Sequence, residues 1–350
     1  MHKKVSEIVN EFSEWGLFIR QEGPDNLISG MPDINECGDG DLVFVESEDY
    51  VQDVLNKRPS AIITNEKLVD NFKGMPDSSL LVSKNAKLAQ ALLRQAYVDR
   101  DLRANGWPKI HPSAVIHETV VLQDNVSIGP NAVISKNVNI GANSNVMANA
   151  VLEENVQIGS NTTIHANATI ANECVVGDRC IIKSGAVIGM EGFGFAQDEN
   201  QKSYRVPQLG NVVIGNDVVI GANATIDRAT FKNTHIADGC KFDNQVHIAH
   251  NVQVGEDGLI TAQCAVAGST VIGKRIRCSG QTGILDHLNI TDDVFLVQRA
   301  GVSQDVSESG MYAGQPAQPL RKWFKNVAVA KQLDEMKKAL DALVREDLKK

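Results

Sequence analysis

Histidines cluster in the second half of the chain, where four of the eight lie between residues 235 and 287. Histidine is the side chain best suited to acid–base work near neutral pH, so this cluster is the first place to look for a catalytic base. In His247-Ile248-Ala249-His250 the isoleucine fits the inward position of a repeat that runs through this region. His247 is then expected to point outward from a flat face, and His250 to lie at the following corner.

Gly268 follows His250 by 18 residues. The repeat has six residues, and three repeats close one coil of 18, so Gly268 should lie directly above the imidazole. A base beneath an unobstructed backbone N–H suits attack on an acyl carbonyl, because the base takes the nucleophile's proton and the N–H stabilises the oxyanion. His287, 37 residues beyond His250, belongs to the same edge. The chain has no Gly-x-Ser-x-Gly elbow and no arguable nucleophilic cysteine, which favours direct transfer without a covalent intermediate. The His247 and His250 pair leaves metal binding open as an alternative, with a third ligand from a neighbouring subunit.

A six-residue repeat positions these groups. Branched apolar residues fall on every sixth position from Ile110 to Ile188, and a second run extends from Ile236 to Val302 with Phe242 and Cys278 as substitutes. Six fits neither a helix nor a plain strand, but it suits a coil of three short flat faces, each sending one aliphatic side chain inward. We therefore predict a parallel β-helix. Glycine often follows the aliphatic residue, where we expect a tight corner, and asparagine often stands two residues later, since it tolerates the left-handed backbone region.

The composition excludes several function classes. A formal net charge of -9 and a pI near 5.4 argue against general affinity for nucleic acid or an anionic membrane. The sequence contains no signal-peptide pattern and no run of about 18 apolar residues that predicts a membrane span, so a cytoplasmic protein is expected. The six cysteines form no Cys-x-x-Cys pair, which favours reduced packing thiols over zinc ligands, and neither a metal nor a cofactor is expected.

Three regions are predicted along the chain. Residues 1–105 lack the repeat and resemble a small α/β domain, residues 106–317 form the β-helix, and residues 318–350 form a helical segment. Residues 190–211 interrupt the column as an extruded loop, and residues 227–235 form a smaller bulge. The apolar stripe of the helical segment packs either on its own column or in a bundle with the same helix of other subunits.

Several segments carry a family resemblance. They are Gly40-Asp41-Leu42, the loop 192–196, Val206-Pro207-Gln208-Leu209-Gly210, Ile226-Asp227-Arg228, Ile248-Ala249-His250-Asn251 and Ala267-Gly268-Ser269. With this ordered set, nearly the whole chain resembles the UDP-3-O-acylglucosamine N-acyltransferases of lipid A biosynthesis. The resemblance implies a left-handed β-helix homotrimer whose active sites lie between subunits. It also implies transfer of a 3-hydroxyacyl chain from acyl carrier protein to the 2-amine of UDP-3-O-acylglucosamine.

The same resemblance implies a role for each matching residue. His250 matches the general base, Gly268 the oxyanion donor and His287 a second active-site histidine. Asp243 matches an acid near the base, which we expect to orient the imidazole. Asn244 and His247 are assigned to substrate binding.

Substrate and partner recognition are expected at two further places. Phe44 and Tyr50 match the pair that sandwiches uracil by π-stacking, so the first domain should bind uridine. Arg321, Lys322 and Lys325 form a basic cluster on an acidic protein. Such a cluster is usually solvated surface, but this one is expected to dock acyl carrier protein.

Three residues depart from the family pattern. Ser47 stands in the uracil site where the family usually has asparagine. Leu285 and Asp286 stand ahead of His287 where the family usually has small residues, which should alter the acyl groove. These departures leave open a β-helical scaffold whose site has decayed. A second rival is an O-acyltransferase that acts on UDP-N-acetylglucosamine, since that enzyme also uses a β-helix and a histidine but lacks a uracil-binding domain of this type.

Overall fold

The computed structural model describes residues 1–102, 104 and 106–347. The predicted boundary between the first two domains falls at residue 105, which lies outside the described residues. The chain divides into two compact units, Met1–Asp101 and Leu102–Lys350. The finer division into three domains stays a prediction.

The first unit is built on a mixed four-stranded sheet with the strand order Phe18–Glu22, Ser79–Ser83, Ala61–Thr64 and Leu42–Val45. The first pair is antiparallel and the others are parallel. The remaining elements are the strand pair Lys3–Lys4 and Leu27–Ile28, helices α1 (Val5–Glu11), α2 (Val51–Lys57) and α3 (Ala86–Tyr97), and 3-10 helices at Ser13–Trp15, Ile34–Glu36, Glu48–Tyr50 and Val69–Phe72. Alternate strand residues enter opposite cores, with Ile63 packed in the core of α1 and α3 and Ile62 in the core of α2.

The second unit is the left-handed parallel β-helix that the repeat and the resemblance predict, and its coils build three flat faces. The first face has strands Val115–Ile116, Val133–Ile134, Val151–Leu152, Thr169–Ile170, Val187–Glu191, Thr225–Arg228, His247–Ile248, Ala265–Val266, Gly283–Ile284 and Gly301–Val302. The second face has strands Val121–Leu122, Asn139–Ile140, Gln157–Ile158, Val175–Val176, Asn211–Ile214, Asn233–Ile236, Gln253–Val254, Val271–Ile272 and Asn289–Ile290. The third face has strands Ser127–Ile128, Asn145–Val146, Thr163–Ile164, Ile181–Ile182, Val219–Ile220, Lys241–Phe242, Leu259–Ile260, Arg277–Cys278, Val294–Leu296, Gly310–Ala313 and Gln318–Pro319.

The inward aliphatic residues form one continuous core inside these faces. Ile170 and Ile248 are fully buried, and Cys278 takes an aliphatic place in the same column, as predicted. The six cysteines are free, buried thiols. At the first coil the column is open, where Ile110 is 47% exposed and pairs with Ile128 of the next coil.

The corners of the coils require asparagine and glycine for two different reasons. Asn143 and Asn161 have left-handed φ values of +59° and +56°, as expected. Gly189 turns with a left-handed φ of +89°, as predicted, but Gly141 has no left-handed φ. A methyl group on Gly141 would lie 2.5 Å from the carbonyl carbon of Gly159 in the next coil. Glycine is needed there since the coils approach closely, and the left-handed conformation belongs to the asparagine two positions later.

The repeat is interrupted twice, by a longer excursion at residues 190–211 and by a shorter excursion at residues 227–235. The longer one contains an antiparallel hairpin of Phe195–Gln197 and Ser203–Arg205, which the sequence predicted only as a loop. The strand Thr225–Arg228 leads into the shorter excursion, and it pairs with His247–Ile248 of the next coil. Residues of these two strands are therefore neighbours although 22 positions separate them.

The chain continues into two helices, α4 (Leu320–Ala330) and α5 (Leu333–Asp347). The helical segment begins slightly later than predicted, because Gln318–Pro319 pairs as a strand with Gly310–Ala313. Apolar side chains of α5 such as Met336 are exposed. None of the helices in the described ranges combines the length and hydrophobicity that a bilayer crossing requires.

Candidate active site

A groove of about 880 Å³ runs along the edge of the first face in the Leu102–Lys350 unit. Its floor follows Ala265, Gly283 and Gly301, which occupy equivalent positions on three successive strands. Because these residues have short side chains or none, the floor is smooth and largely apolar. His250 and His287 both line this groove.

The imidazole of His250 is held between two glycines. A methyl group added at Gly268 would lie 2.6 Å from Cε1 and 2.8 Å from Nε2 of the ring, and one added at Gly192 would lie 2.8 Å from Cβ and Cδ2. Both positions therefore require glycine, since these distances are well below van der Waals contact. The coil period predicted the stacking of Gly268, whereas Gly192 reaches the ring from the longer excursion.

The backbone N–H of Gly268 has no hydrogen-bond acceptor among the described residues. At an equivalent position of another corner, the N–H of Ser160 donates to Oδ1 of Asp178 in the next coil at 2.7 Å. Asp286 holds the corresponding place above Gly268, but its carboxylate is 64% exposed and lies 3.9 Å from Nε2 of His287. The uncapped N–H of Gly268 is therefore available to an oxyanion.

Asn251 contacts the imidazole from the side. Its Nδ2 lies 2.9 Å from Nδ1 of His250 and 3.1 Å from Oγ1 of Thr230, while its Oδ1 accepts from the Thr230 N–H at 2.8 Å. Because Thr230 engages the oxygen, the Asn251 amide donates to Nδ1, and the neutral ring then carries its proton on Nε2. To act as a base at Nε2, the ring must be in the other tautomer, with its proton on Nδ1. The orientation of the Asn251 amide therefore determines which ring nitrogen is free to accept a proton.

Two of the three residues that depart from the family pattern, Leu285 and Asp286, lie on the groove wall above His250. Leu285 is 55% exposed and lines the groove together with Asp286 and His287. His287 has a left-handed φ of +56°, and its N–H donates to the Gly268 carbonyl at 3.0 Å. The second histidine is therefore anchored by its backbone to the coil that stacks on the first.

A second polar cluster lies on the wall beneath His250. Nδ1 of His247 is 2.7 Å from Oγ1 of Thr225, and its Nε2 is 3.7 Å from Oδ2 of Asp227. Only 13% of the Asp227 side chain is exposed, and burial raises the pKa of its carboxyl to about 7. Burial, followed by the nearby charge of His250, lowers the pKa of His247. The cluster therefore pairs a carboxyl that titrates near neutral pH with an imidazole that is neutral there.

Asp243 and Asn244 lie at a different corner of the coil, after Phe242 of the third face. Oδ1 of Asp243 accepts from the Asn244 N–H at 2.7 Å, and Oδ1 of Asn244 accepts from the Ala222 N–H at 2.8 Å. Within the described chain they do not meet the imidazole, whose side-chain partner is an asparagine instead. Their predicted roles stay predictions.

The predicted uracil site lies in the first unit, around the strand Leu42–Val45. Phe44 is half-buried, with Cζ of Arg94 5.9 Å from the centre of its ring, and Tyr50 is exposed. Ser47 caps the 3-10 helix that ends at Tyr50. The aromatic pair thus offers one fixed and one solvent-facing ring, and uracil stacking stays a prediction.

The basic cluster of Arg321, Lys322 and Lys325 lies on α4, and all three side chains are exposed. They are therefore accessible to a partner. In the described ranges, no group of three or more His, Cys, Asp or Glu side chains is placed to hold a metal ion. A metal at His247 and His250 needs a ligand from another chain.

Sequence reasoning missed three contributors to this site, namely Gly192, Asn251 and Asp227. All three lie in segments noted above for their resemblance, which is the signal that pointed to them. Gly192 and Asp227 border the excursions, where the repeat no longer predicts distances. Asn251 has a left-handed φ of +62° like other corner asparagines, and nothing in the repeat distinguishes it from them.

The chain is similar to known proteins over nearly its whole length. It is 50% identical over 336 residues to the UDP-3-O-acylglucosamine N-acyltransferase of Methylococcus capsulatus, covering 96% of this chain and 95% of that protein. It is 38% identical over 339 residues to the protein of the same name from Bordetella pertussis, covering 95% of this chain and 93% of that protein.

Two further similarities concern the β-helix. The solved structure of an Arabidopsis UDP-N-acetylglucosamine acyltransferase matches with a TM-score of 0.54 and 26% identity, over 60% of this chain and 72% of that chain. A family model of the GMPPB C-terminal domain matches residues 106–192, a span that contains the first run of the repeat.

Proposed function

The chain belongs to the UDP-3-O-acylglucosamine N-acyltransferase family, and from that premise we propose that it moves a 3-hydroxyacyl chain from acyl carrier protein to the 2-amine of UDP-3-O-acylglucosamine in lipid A biosynthesis. The observation that carries the proposal is the stack of the His250 imidazole beneath the uncapped N–H of Gly268, on the wall of an apolar groove. A base, an oxyanion donor and a path for an acyl chain meet there. Neither a metal nor a cofactor takes part in the proposed reaction.

The proposed reaction uses the two stacked groups in one step. The 2-amine attacks the thioester carbonyl, its nitrogen passes a proton to His250, and the Gly268 N–H stabilises the oxyanion. When the C–S bond breaks, the imidazolium returns the proton to the leaving sulfur. A covalent acyl-enzyme is unnecessary because the amine is itself a sufficient nucleophile.

The base must present a ring nitrogen that carries no proton. In the resting arrangement the Asn251 amide donates to Nδ1 of His250, which leaves the proton on Nε2. We infer that the reactive form has the Asn251 oxygen turned to accept from Nδ1–H, so that Nε2 is free. His287 faces the same groove and is proposed to contact the substrate near the reacting carbonyl.

The other predicted residues complete the proposal. Phe44 and Tyr50 are proposed to stack on uracil, with Ser47 at the same site, and His247 to contact the sugar. The exposed apolar side chains of α5 need a partner, which supports contact between copies. We propose a homotrimer with active sites between subunits, in which Asp243 and Asn244 meet the imidazole of a neighbouring copy.

Acyl carrier protein is proposed to dock on the basic cluster of α4. Arg321, Lys322 and Lys325 are exposed on a protein whose net charge is -9, so they form a local attractive site for an acidic partner.

The proposal is tested by mixing the purified chain with a 3-hydroxyacyl thioester of acyl carrier protein and UDP-3-O-acylglucosamine. Mass spectrometry is expected to show an amide at the 2-position. Acylation of a hydroxyl of UDP-N-acetylglucosamine in place of the amine identifies the O-acyltransferase. Absence of any acylated product identifies a decayed scaffold.

A further inference from the structure

The groove is lined by a carboxyl group, that of Asp227, which accepts no hydrogen bond from the part of the chain that the structure describes. Asp227 directly follows the inward Ile226, which pairs with Ile248 of the next coil, two residues before His250, and Asp227 and His250 line the same groove. Its side chain is 13% exposed, and among the described residues it accepts no hydrogen bond. Nε2 of His247 approaches to 3.7 Å, which is beyond hydrogen-bond distance. A largely buried carboxyl that lacks partners is costly, and in a cleft it marks a functional group.

The charged neighbours of Asp227 are committed elsewhere. Arg228 on the same strand turns away, and its Nε donates to the Gly189 carbonyl at 2.6 Å. Glu191 on the strand beneath is paired with Arg205, which holds the pKa of that carboxyl below its usual range. On the strand above and the corner after it, the facing groups are the imidazoles of His247 and His250. The carboxyl of Asp227 therefore meets the groove without a permanent cation.

We propose that Asp227, with His247 beside it, binds the 2-ammonium group of the acceptor and takes up one of its protons, so that the site selects an amine over a hydroxyl. This inference rests on the proposed function, since it presumes an amino-sugar nucleotide as acceptor. The ammonium supplies the missing cation and the missing hydrogen-bond donor together. Because Asp227 and His250 line the same groove, a nitrogen bound at Asp227 lies near the wall that carries His250.

The proton balance of this step closes. The ammonium gives one proton to the Asp227 carboxylate, and the neutral amine forms the C–N bond at the thioester carbonyl. Its second proton passes to His250, the C–S bond breaks with its electron pair on sulfur, and the imidazolium protonates that sulfur. Asp227 then releases its proton to water, so that thioester and ammonium give amide, thiol and one proton.

The pH dependence follows from the ionised form of the carboxyl. Burial raises the pKa of Asp227 to about 7, so the carboxylate that binds ammonium is present above that pH and is lost below it. Affinity for the amine is therefore expected to rise as pH increases through about 7. It falls again once the amine itself loses its proton, because an uncharged amine gains less from a carboxylate.

Asp227→Asn removes the charge and keeps the shape. Calorimetry on the full chain compares UDP-3-O-acylglucosamine with its 2-hydroxyl analogue, UDP-3-O-acylglucose. Wild type is expected to bind the amine about 10- to 100-fold more tightly, the range for a hydrogen bond to a charged group. In Asp227→Asn this preference should vanish while affinity for the hydroxyl analogue is retained, and Asp227→Glu should keep part of the preference.

Asp286→Asn is the matched control, because it removes a carboxylate from the same groove at a more exposed position. It should leave the amine preference and its pH dependence unchanged. Folding of Asp227→Asn is checked by thermal unfolding at pH 8, where loss of a buried charge should stabilise the protein.

A preference that persists in Asp227→Asn overturns the inference. Equal loss of affinity for both nucleotides assigns Asp227 a structural role and overturns it as well. If wild type makes no amide at all, the proposed function fails first, and that result is distinct from an active wild type with an unaffected variant.

Discussion

The corner that follows the first face differs between the lower half of the β-helix, before the longer excursion at residues 190–211, and the upper half, after it. In the lower half, successive coils are tied side chain to side chain, with Nζ of Lys136 2.8 Å from Oε2 of Glu154 and Nδ2 of Asn137 donating to Oδ1 of Asn155 at 3.1 Å. In the upper half, the same positions hold a histidine beneath a glycine. The backbone repeat is the same in both halves. The candidate site thus lies where a histidine and a glycine take the place of one rung of paired side chains, without any change of fold. The neighbouring rung is kept, with Nδ2 of Asn251 3.4 Å from Oγ of Ser269.

The two excursions supply the contacts that the ladder supplies elsewhere. Gly192 from the longer excursion packs on one side of the His250 ring, and Thr230 from the shorter one holds the amide of Asn251 in the resting arrangement. The imidazole is therefore positioned by chain segments outside the repeat. Variants in the upper corner should affect chemistry, and variants in the lower corner should affect little beyond local stability.

Among the variants that test this comparison, His250→Ala is expected to cause the largest loss of turnover. Turnover should fall by about two to four orders of magnitude, because the reaction loses its base. His117→Ala removes a histidine from the lower half, where its Nδ1 contacts Oγ1 of Thr119 at 3.0 Å, and should leave turnover unchanged. Steady-state kinetics with the amino-sugar nucleotide measures both. A nearly normal rate in His250→Ala removes this residue from the proposed role.

Gly268→Ala should cause the second-largest loss of kcat. Its methyl group would meet the imidazole at 2.6 to 3.0 Å, so base and oxyanion donor must separate, and a displacement of this kind costs about 100-fold in kcat. Gly280→Ala is the matched control, since its methyl group would have an ordinary contact of 3.5 Å with the Ala262 carbonyl oxygen. Equal rates in the two variants show that the stacking has no catalytic importance.

Asn251 should have an intermediate effect that depends on the replacement. Asn251→Leu leaves the imidazole and the Thr230 N–H without their partner, and kcat is expected to fall about 10-fold, in line with an unsatisfied buried donor. Asn251→Asp should retain most of the rate, because a carboxylate accepts from Nδ1–H and leaves Nε2 free. Loss of activity in Asn251→Asp, with Asn251→Leu unaffected, refutes the proposed tautomer.

Lys136→Met in the lower corner should have the smallest effect. The ion pair with Glu154 is exposed and screened by solvent, so its loss should barely change the free energy of unfolding and should leave kcat unchanged. Urea denaturation and the same kinetic assay measure the two quantities. A large loss of rate contradicts the division between the halves.

The fold and part of the site follow from the sequence because one physical rule covers both. An inward aliphatic residue every six positions predicted the three faces, and the coil period predicted that Gly268 lies over His250. Gly192 and Asp227 were not predicted as contacts, because the excursions break the register from which distances are inferred. Corner glycines such as Gly141 were predicted with the wrong reason, since the approach of the next coil is visible only in three dimensions.

The central claim is that the imidazole of His250 and the N–H of Gly268 act on the same acyl carbonyl. A double-mutant cycle of His250→Ala and Gly268→Ala, measured as kcat/KM for amide formation, tests it most directly. If the two groups act as one unit, the double variant should be about as slow as His250→Ala alone. Losses that multiply to the product of the two single effects would show that the groups work independently and would contradict the account.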